Sequence, residues 1–355
     1  MRRFIFINAL LALRVILGRQ GRRVLLVFSV FLIVKFKGMY NTVMFSKIGL
    51  KVSKTQISEP KVQHLGTSIS SHTLIEKCKL GPQVKQIKIY APEIAAKAQA
   101  GQFVILRTDN EGERIPLTLV CWDKTEGTIT LIFQEVGVST KKLAALKIGE
   151  QIPNLIGPLG NPSDIKFYGL VAVVCGGVGT AAAYPIAKAL KEAGNIVVTI
   201  IGARNRELLI LEEEMKKVSN ELFISTDDGS KGQKGFVSDV LKSLIDKKYK
   251  FNIVYAIGPP IMMKITSEVT RPYAIKTVVS LNPIMVDGMG MCGACRVTVG
   301  GLTKFACVDG PEFDAHQTNF DELIKRLKVY PSEEKQAVEF QEHQGGGSCQ
   351  CSNHK

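Results

Sequence analysis

Acidic residues are absent from the first 58 positions of this 355-residue chain, which contain eleven lysines and arginines. The whole chain has a formal net charge of +14, so subtracting the +11 of this segment leaves +3 for the remainder. A nearly neutral globular part lacks the clustered positive charge that nucleic-acid binding requires. We therefore expect no DNA or RNA partner.

A hydrophobic run long enough to span a bilayer is also missing from this basic segment. The apolar run at residues 24–34 covers eleven positions, or about 16 Å of helix, whereas a bilayer has a hydrocarbon core of roughly 30 Å. Two interpretations of residues 1–51 remain open. The segment is a targeting or anchoring extension, with organelle or membrane association, or it is an upstream extension that the working protein lacks. The second interpretation, with translation starting at Met39 or Met44, predicts a cytoplasmic protein.

The eight cysteines do not form the framework of a disulfide-stabilised domain. They are unevenly placed, and one C-x₂-C pair has metal-ligand spacing, so we expect a reducing compartment. The chain exceeds the size at which one core keeps growing, and no internal repeat is visible. We divide it into an extension and linker at 1–70, a β domain at 71–163, an α/β domain at 164–274, a cysteine-containing segment at 275–327 and a weakly ordered tail at 328–355.

Two kinds of hydrophobic pattern follow one another after residue 71. The first consists of short apolar or alternating segments between Gly, Asn and Asp turns, at 84–90, 103–108, 117–122, 128–134 and 151–155. The second alternates strands with helices: a strand from Leu170 into a glycine turn, a helix at 182–193, and strands at 196–201, 222–226 and 253–257. Together they predict a multidomain β plus α/β protein, with an antiparallel β-barrel and a doubly wound parallel sheet.

Asp287, Cys292, Cys295 and Cys307 supply four anionic ligands within 21 residues, with glycines between them. An iron–sulfur cluster needs such a set, since glycine lets the backbone wrap closely around a compact inorganic centre. Zinc is the alternative, but the cysteine pair lies in a glycine-rich loop before a predicted strand at 296–299, and no histidine stands near. We favour a [2Fe–2S] cluster. Three structural free cysteines are less favoured, because only Cys307 lies in an apolar strand pattern.

Gly176, Gly177 and Gly179 stand between a strand end and a helix start, where backbone N–H groups and the helix dipole can bind a phosphate. The turn therefore predicts a pyrophosphate site, although the same glycines could form only a tight β–α connection. Glycine-rich ends of neighbouring strands, such as the one containing Gly258, favour the ligand site. The acidic ribose-binding residue expected after the second strand is absent and Arg204 stands nearby, which taken literally favours NADP.

Several further motifs make the chain resemble the ferredoxin–NADP reductase superfamily. They are Arg114-Ile-Pro-Leu-Thr118, Gln134-Glu-Val-Gly137-Val-Ser-Thr140, Gly157-Pro-Leu-Gly160, Gly258-Pro-Pro260 and the cysteine motif from Asp287 to Pro311. Within the superfamily, the chain is most similar to the small (alpha) subunits of electron-bifurcating NADH-dependent ferredoxin:NADP oxidoreductases. Sulfide dehydrogenase and dihydroorotate dehydrogenase electron-transfer subunits are close relatives. The resemblance covers residues 71–328.

The resemblance implies a cofactor for each of the three predicted domains. The implied FAD contacts are Arg114, Pro116, Leu117, Thr118, Gly137 and Thr140. The implied NAD(H) contacts are Gly176, Gly177, Gly179, Arg204 and Gly258, and the family similarity favours NADH over NADPH. The implied [2Fe–2S] ligands are Asp287, Cys292, Cys295 and Cys307. Arg114 precedes Thr118 by four positions where the family motif has three, so a surface arginine remains an alternative, as does a turn role for Gly137 and Thr140.

Asp287 distinguishes between the related subfamilies. Dihydroorotate-type subunits resemble this motif with cysteine as the first ligand, whereas the bifurcating type has aspartate. A carboxylate oxygen is a harder donor than a thiolate and would change the reduction potential of the cluster. The alternative is an aspartate that only stabilises a turn. We assign no role to Cys175, or to Cys349 and Cys351 near the C-terminus.

The resemblance implies an iron–sulfur flavoprotein subunit that oxidises NADH through FAD and passes single electrons through a [2Fe–2S] cluster. It also implies a heterodimer with a larger subunit that carries flavin and [4Fe–4S] clusters, and ferredoxin as a partner through that subunit. No side chain is assigned as a general acid or base. The alternatives are a sulfide dehydrogenase or dihydroorotate dehydrogenase electron-transfer subunit and, from another class, a non-catalytic iron–sulfur redox sensor.

Overall fold

The computed structural model describes residues 70–110 and 112–345. The expectations for residues 1–69, Cys349 and Cys351 lie outside the described residues. Across the described ranges, no helix is long and apolar enough to cross a membrane.

The secondary structure changes from mainly β to alternating β and α along the chain. The strands are β1 Thr73–Gly81, β2 Val84–Tyr90, β3 Phe103–Arg107, β4 Ile115–Thr118, β5 Cys121–Asp123, β6 Thr128–Gln134, β7 Asn154–Leu159, β8 Leu170–Gly176, β9 Ile196–Ala203, β10 Glu221–Thr226, β11 Gln233–Lys234, β12 Ile253–Ile257, β13 Lys276–Ser280, β14 Arg296–Val299, β15 Leu302–Phe305 and β16 Glu312–Asp314. The helices are α1 Pro92–Lys97, α2 Val138–Ala145, α3 Gly179–Glu192, α4 Glu212–Val218, α5 Val237–Asp246, α6 Pro260–Thr270, α7 Phe320–Leu327 and α8 Pro331–Gly345, with 3₁₀ turns at Arg206–Leu208 and Arg271–Tyr273.

The β domain consists of two antiparallel sheets, β1-β2-β6-β5 and β4-β3-β7, around a shared apolar core. In β2, Ile87 and Ile89 point into this core, and Lys88 between them faces outward, as the period of two in a strand requires. The predicted strand at 117–122 is divided between the sheets. Leu119 and Val120 are buried where the chain crosses from β4 to β5. The Leu119 N–H donates to the Gln102 carbonyl before β3, and the Val120 N–H donates to the Thr130 carbonyl of β6.

Strand β1 was not predicted from the sequence. Its residues, TLIEKCKLG, are mostly polar, and only Leu74 is buried. Backbone pairing with β2, rather than an apolar face of its own, forms this edge strand. A hydrophobic pattern could not have revealed it.

The α/β domain contains a seven-stranded sheet in the order β11-β10-β9-β8-β12-β13-β16. All neighbours are parallel except β13 and β16. The chain runs outward from β8 through β9 to β10 and then returns to the other side of β8 through β12, so the order reverses between β8 and β12. Helix α3 covers one face and α5 the other. This confirms the predicted doubly wound sheet, whose ligands bind where the order reverses.

The cysteine-containing segment is continuous with this sheet, since it contributes β13 and β16, the last two strands in the sheet order. Between them lie a loop at 281–295 and the β14–β15 hairpin. The apolar strand pattern expected around Cys307 was wrong, because Cys307 lies in a turn after β15. Asp309 closes this turn, since its carboxylate accepts the N–H of Phe305 and its own N–H bonds to the Phe305 carbonyl.

Helix α8 lies in the segment where the sequence analysis expects weak order. It begins at Pro331 and has Glu333 and Glu334 in its first turn, where proline and acidic residues favour helix initiation. The helix contacts α2 of the β domain.

Candidate functional site

A cleft of about 850 Å³ lies where the β domain, the carboxyl ends of the parallel strands and the cysteine-containing segment meet. Nine of the predicted cofactor-binding residues line this cleft. They are Pro116, Leu117, Thr118, Thr140, Gly176, Gly177, Gly179, Arg204 and Gly258. The other two, Arg114 and Gly137, are not among the lining residues. The structure thus places predicted flavin and nicotinamide contacts around one cavity.

The three glycines after β8 have different local roles. A Cβ atom on Gly179 would lie 2.6 Å from the Ile257 carbonyl oxygen and 2.7 Å from Gly258 Cα, so this glycine lets α3 approach β12. A Cβ atom on Gly176 would lie 2.8 Å from Met262 Sδ. Gly177 has φ +56° and faces open space. Gly177 therefore presents the turn to the cleft, while Gly176 and Gly179 permit the close packing that forms it.

The ends of β9 and β10 contribute polar groups to the same cleft. Arg204 follows β9, and Ser225 and Asp227 lie at the end of β10 and just beyond it. The Ser225 hydroxyl is buried and has no hydrogen-bond partner within the described part of the chain. An unpaired buried hydroxyl is unfavourable and can bind a polar ligand group. Sequence analysis did not single out Ser225 or Asp227.

On the flavin side, β4 presents Pro116, Leu117 and Thr118 to the cleft. The Thr140 hydroxyl accepts the N–H groups of Val136 and Gly137 and donates to the Gly137 carbonyl. Thr140 thus stabilises the start of α2, which is the turn role that the sequence analysis left open. Arg114 is exposed and does not line the cleft, which agrees with the alternative interpretation of a surface arginine.

Phe103 and Met285 form a boundary between the cleft and the cysteines. Both line the cleft and both pack in the apolar cluster that contains Cys295 and Cys307. Neither was singled out from the sequence, because an apolar residue in a strand or loop does not show which distant segment it will pack against. Their packing places the cysteine loop directly behind the cleft wall.

The cysteine loop requires left-handed backbone at three glycines, with φ +74° at Gly288, +83° at Gly290 and +67° at Gly293. A Cβ atom on Gly288 would lie 2.7 Å from Ile105 Cδ1, so the loop also packs tightly against the β domain. Cys295 and Cys307 are each 2% exposed, and their sulfur atoms are 3.2 Å apart. Cys292, in contrast, is exposed.

Asp287 organises this loop through its backbone. Its Oδ1 accepts the N–H of Met289 at 2.8 Å, and its Oδ2 accepts those of Met291 at 3.0 Å and Cys292 at 2.6 Å. The hydrogen bond from Met289, together with those from Cys292 and Met291, lowers the pKa of this carboxyl, so it is anionic near neutrality. An ionised carboxylate has about four acceptor positions, so the three backbone bonds leave about one, which the Cys292 side chain contacts.

The four predicted ligands form two pairs. Cys295 contacts Cys307, and the Cys292 side chain contacts the Asp287 carboxylate. Across residues 70–110 and 112–345, no three His, Cys, Asp or Glu side chains converge on a site for a single metal ion. A [2Fe–2S] cluster takes two ligands on each iron, so the paired donors fit it. Burial and the Cys295 contact raise the pKa of the Cys307 thiol to about 12, so cluster binding would have to displace its proton.

Comparison with known proteins supports this interpretation of the site. Residues 173–268 match the NAD-binding domain of oxidoreductases, and residues 282–319 match the iron–sulfur cluster binding domain of dihydroorotate dehydrogenase B. The homologue of the dihydroorotate dehydrogenase B electron transfer subunit from Thermotoga maritima is 48% identical over 274 residues, which is 77% of this chain and 96% of that protein. The electron transfer subunit from Desulforamulus reducens is 33% identical over 249 residues, which is 67% of this chain and 93% of that protein.

The chain belongs to this family of electron-transfer subunits. A solved structure of the NADH-dependent reduced ferredoxin-NADP oxidoreductase, described in a study of flavin-based electron bifurcation, matches this electron-transfer subunit with a TM-score of 0.74 and 46% identity. The match covers 78% of this chain and 99% of that chain. A cytochrome P450 reductase from Amycolatopsis shares the fold at 20% identity and a TM-score of 0.50, over 58% of this chain and 66% of that chain.

These comparisons confirm the resemblance and the β plus α/β fold class of the electron-transfer subunit. They also confirm an NAD(P)H oxidoreductase subunit with FAD, an iron–sulfur cluster and NAD(H) as its redox groups. The family names include electron transfer subunits, which implies a larger catalytic partner. The individual contact residues and the domain boundaries stay predictions.

Proposed function

We propose that this subunit oxidises NADH in the cleft and passes single electrons through a [2Fe–2S] cluster, held by Asp287, Cys292, Cys295 and Cys307, to a larger partner subunit. The observation that carries the proposal is the shared wall between the two sites. Phe103 and Met285 line the cleft and also pack against Cys295 and Cys307. A redox group in the cleft would therefore be separated from the cluster by one layer of apolar side chains.

The protein contributes binding and orientation rather than acid–base chemistry. Bound FAD would supply the conversion of a hydride from NADH into single electrons, which suits a cluster that takes one electron at a time. Thr118 on β4 would orient the flavin, and the turn at Gly177 would bind phosphate with its N–H groups. Phe103 and Met285 would exclude water between the two redox groups, since both are buried.

The charges at the nucleotide end of the cleft support NADH as the substrate. Arg204 would attract the 2′-phosphate of NADPH, but Asp227 lines the same cleft and would repel it. The Ser225 hydroxyl can accept a hydrogen bond from a ribose hydroxyl or donate one to it. We propose that this combination selects NADH, in agreement with the NADH dependence of the 46% identical oxidoreductase.

The cysteine loop has an apolar exposed rim, formed by Ile284, Val286, Met289, Met291 and Val308. Met291 is 83% exposed, and the neighbouring Cys292 is exposed as well. Apolar surface next to a redox centre favours protein docking. We propose that the larger subunit, which would carry flavin and [4Fe–4S] clusters and interact with ferredoxin, binds this rim in a heterodimer. Free cysteines stay reduced under reducing conditions, which favour the cytoplasm.

An anaerobic NADH titration of the full chain tests the proposal, after FAD, iron and sulfide have been quantified. We expect one FAD and one [2Fe–2S] cluster per chain, bleaching of the flavin by NADH and a paramagnetic signal from the reduced cluster. Asp287→Ala should change or abolish that signal. Asp321→Ala is the control, because Asp321 is an exposed carboxylate that pairs with Lys264 of α6 rather than with the cysteine loop. Bound zinc, or a chain that takes up no flavin on reconstitution, would contradict the proposal and favour the redox sensor.

The second candidate is the electron-transfer subunit of a dihydroorotate dehydrogenase, favoured by the family match over residues 282–319. A sulfide dehydrogenase subunit is the further alternative from the sequence. The protein that co-purifies with the chain distinguishes these three. A partner with [4Fe–4S] clusters supports the bifurcating oxidoreductase, whereas one that oxidises dihydroorotate supports the second candidate.

A further inference from the structure

Glu312 lies where the β domain, the parallel sheet and the cysteine-containing segment meet. It is the first residue of β16 and pairs with Ser280 of β13. Its Oε1 accepts a hydrogen bond from the Ser163 hydroxyl of the β domain. Cys307 precedes it by five positions in the chain. Glu312 thus connects the cysteine loop to the two domains that form the cleft.

The immediate neighbours of Glu312 line the cleft, although the glutamate itself is recessed behind them. Gly101, Ser280 and Pro311 are all lining residues. A Cβ atom built on Gly101 would collide with the Ser163 hydroxyl and lie 3.2 Å from Glu312 Oε1, so glycine at this position leaves room for the Ser163–Glu312 hydrogen bond. The side chain is only partly exposed. A charge on Glu312 therefore lies behind the part of the cleft wall that Gly101, Ser280 and Pro311 form.

Further hydrogen bonds fix this position. The Asn161 N–H donates to the Gly310 carbonyl at 2.7 Å, and its side-chain amide donates to the Val308 carbonyl at 3.1 Å. The Leu281 N–H donates to the Pro311 carbonyl at 2.9 Å. The segment from Val308 to Glu312 is thus held between the β domain and β13. This arrangement fixes the backbone next to Glu312 between the cleft and the cysteine loop.

The charges around Glu312 favour its protonated form. Within the described residues its charged neighbour is Asp164, of the same sign, and no lysine or arginine pairs with it. Burial, with a smaller contribution from Asp164, raises the pKa of Glu312 to about 7, and the bond from Ser163 opposes this. Tyr255 also faces it, and burial raises the pKa of that phenol, so Tyr255 stays neutral.

The remaining charged groups of this junction interact with Asp164 rather than with Glu312. Lys166 pairs with Asp164 at 2.6 Å, and Lys276 lowers the pKa of Asp164 from a greater distance. The Tyr168 hydroxyl donates to the Asp164 carboxylate at 2.9 Å. Asp164 is largely exposed, so the pair belongs to the surface and provides little compensation for a charge on Glu312.

We propose that Glu312 is a redox-linked proton-holding residue, which takes up one proton when an electron enters the adjacent sites and releases it when the electron leaves. The inference rests on the proposed function, because the electron comes from NADH by that route. The proton comes from solvent, to which the side chain is partly exposed. One added electron and one added proton leave the local charge unchanged. Glu312 acts through charge, so it is a positioning residue rather than a catalytic one.

The pH dependence of the cluster potential tests this proposal. The full chain would be titrated with chemical reductants from pH 6 to 9, with the reduced cluster followed by electron paramagnetic resonance. Where Glu312 titrates, the potential should fall with rising pH, approaching about 59 mV per pH unit, since a pH unit is a tenfold change in proton activity. Glu312→Gln keeps the acceptor oxygen for Ser163 and removes the titrating proton. It should make the potential nearly independent of pH.

Two further variants make the test specific. Glu126→Gln alters an exposed glutamate of the β domain and should keep the wild-type slope. Ser163→Ala removes the hydrogen bond that favours the ionised form of Glu312, so the pH-dependent window should move to higher pH. Redox-difference infrared spectra supply an independent readout. Reduction should add a protonated-carboxyl band that Glu312→Gln lacks.

The outcomes separate this inference from the proposed function. Equal slopes in the wild type and Glu312→Gln, or no slope in either, would overturn the role of Glu312 even if NADH reduces both flavin and cluster. A chain that binds neither flavin nor an iron–sulfur cluster would contradict the proposed function and the inference together.

Discussion

The sulfur atoms of Cys295 and Cys307 lie 3.2 Å apart, although twelve positions separate the two residues in the sequence. The β14–β15 hairpin produces this proximity. Arg296 pairs with Phe305 at its open end, and the Ala306 N–H donates to the Cys295 carbonyl at 3.1 Å. The C-x₁₁-C spacing is therefore the length of one short hairpin, and the hairpin brings these two predicted ligands together.

Replacing Asp287 tests whether its carboxylate is a ligand as well as a turn-stabilising group. Asp287→Ala removes three acceptor contacts and one predicted ligand, so the iron content should fall markedly and the loop should lose about 1–3 kcal/mol of stabilisation. Asp287→Cys should retain the cluster with a changed paramagnetic spectrum, because a softer donor replaces the carboxylate. Iron analysis and electron paramagnetic resonance measure both. An Asp287→Ala protein with full iron and an unchanged spectrum would show that Asp287 only stabilises the turn.

Two glycine substitutions should separate packing from phosphate binding. Gly179→Ala places Cβ 2.6 Å from the Ile257 carbonyl oxygen, so the free energy of unfolding should fall by about 1–3 kcal/mol. Gly177→Ala meets open space, and its φ of +56° costs an alanine about 1–2 kcal/mol. Because Gly177 lines the cleft, its substitution should raise the KM for NADH more than it lowers stability. Thermal unfolding and steady-state kinetics with an artificial acceptor measure these effects, and the same KM change in both variants would contradict the distinction.

Asp227 should control the choice between the two nicotinamide nucleotides. Asp227→Asn removes a negative charge from the cleft and leaves Arg204, so kcat/KM for NADPH relative to NADH should rise about tenfold, or about 1.4 kcal/mol. Asp228→Asn is the matched control, because Asp228 accepts the Ser230 N–H at 2.8 Å in the adjacent turn. The ratio should change little there. An equal change of this ratio in both variants would show that Asp227 does not discriminate between the 2′-hydroxyl of NADH and the 2′-phosphate of NADPH.

The exposed rim of the cysteine loop should bind the partner subunit. Met291→Asp introduces a charge into the apolar rim, so we expect a Kd for the larger subunit that is about tenfold higher or more. Phe167→Asp changes another highly exposed apolar residue, outside the rim, and should have little effect. Binding of the separately purified partner by interferometry or calorimetry measures both. Equal affinity of the Met291→Asp and wild-type chains would place the interface elsewhere.

The stability of the cofactor-free chain should depend on Glu312 in a definite direction. Its pKa rises from the ordinary 4.5 to about 7 on folding, so the folded state binds the proton more tightly. The resulting stabilisation is complete below pH about 4.5 and is lost as pH rises through about 7, at roughly 1–2 kcal/mol after allowance for partial exposure. Relative to Glu312→Gln, the wild-type Tm should therefore decline between pH 5 and 8. A constant difference in Tm across that range would contradict the shift.

Short-range patterns in the sequence predicted the glycine turn and four parallel strands, β8, β9, β10 and β12, and singled out Cys292, Cys295 and Cys307 as candidate ligands. These features depend on residues close together in the chain. Strand β1 escaped prediction, because its polar residues form a strand only by pairing with β2. Phe103 and Ser225 escaped for a related reason. Their roles at the cleft come from contacts with distant segments, and neither an apolar strand residue nor a serine indicates such contacts.

The order in which the two redox groups respond to NADH tests the central claim most directly. The full chain would be mixed rapidly with NADH without oxygen, with flavin absorbance followed by stopped flow and the cluster by freeze-quench electron paramagnetic resonance. We predict that the flavin bleaches first and the cluster signal follows. A Cys292→Ser variant should leave the first phase intact and alter the second. Reduction of the cluster before the flavin, or of the cluster without the flavin, would contradict the proposed route from NADH through the cleft to the cysteine loop.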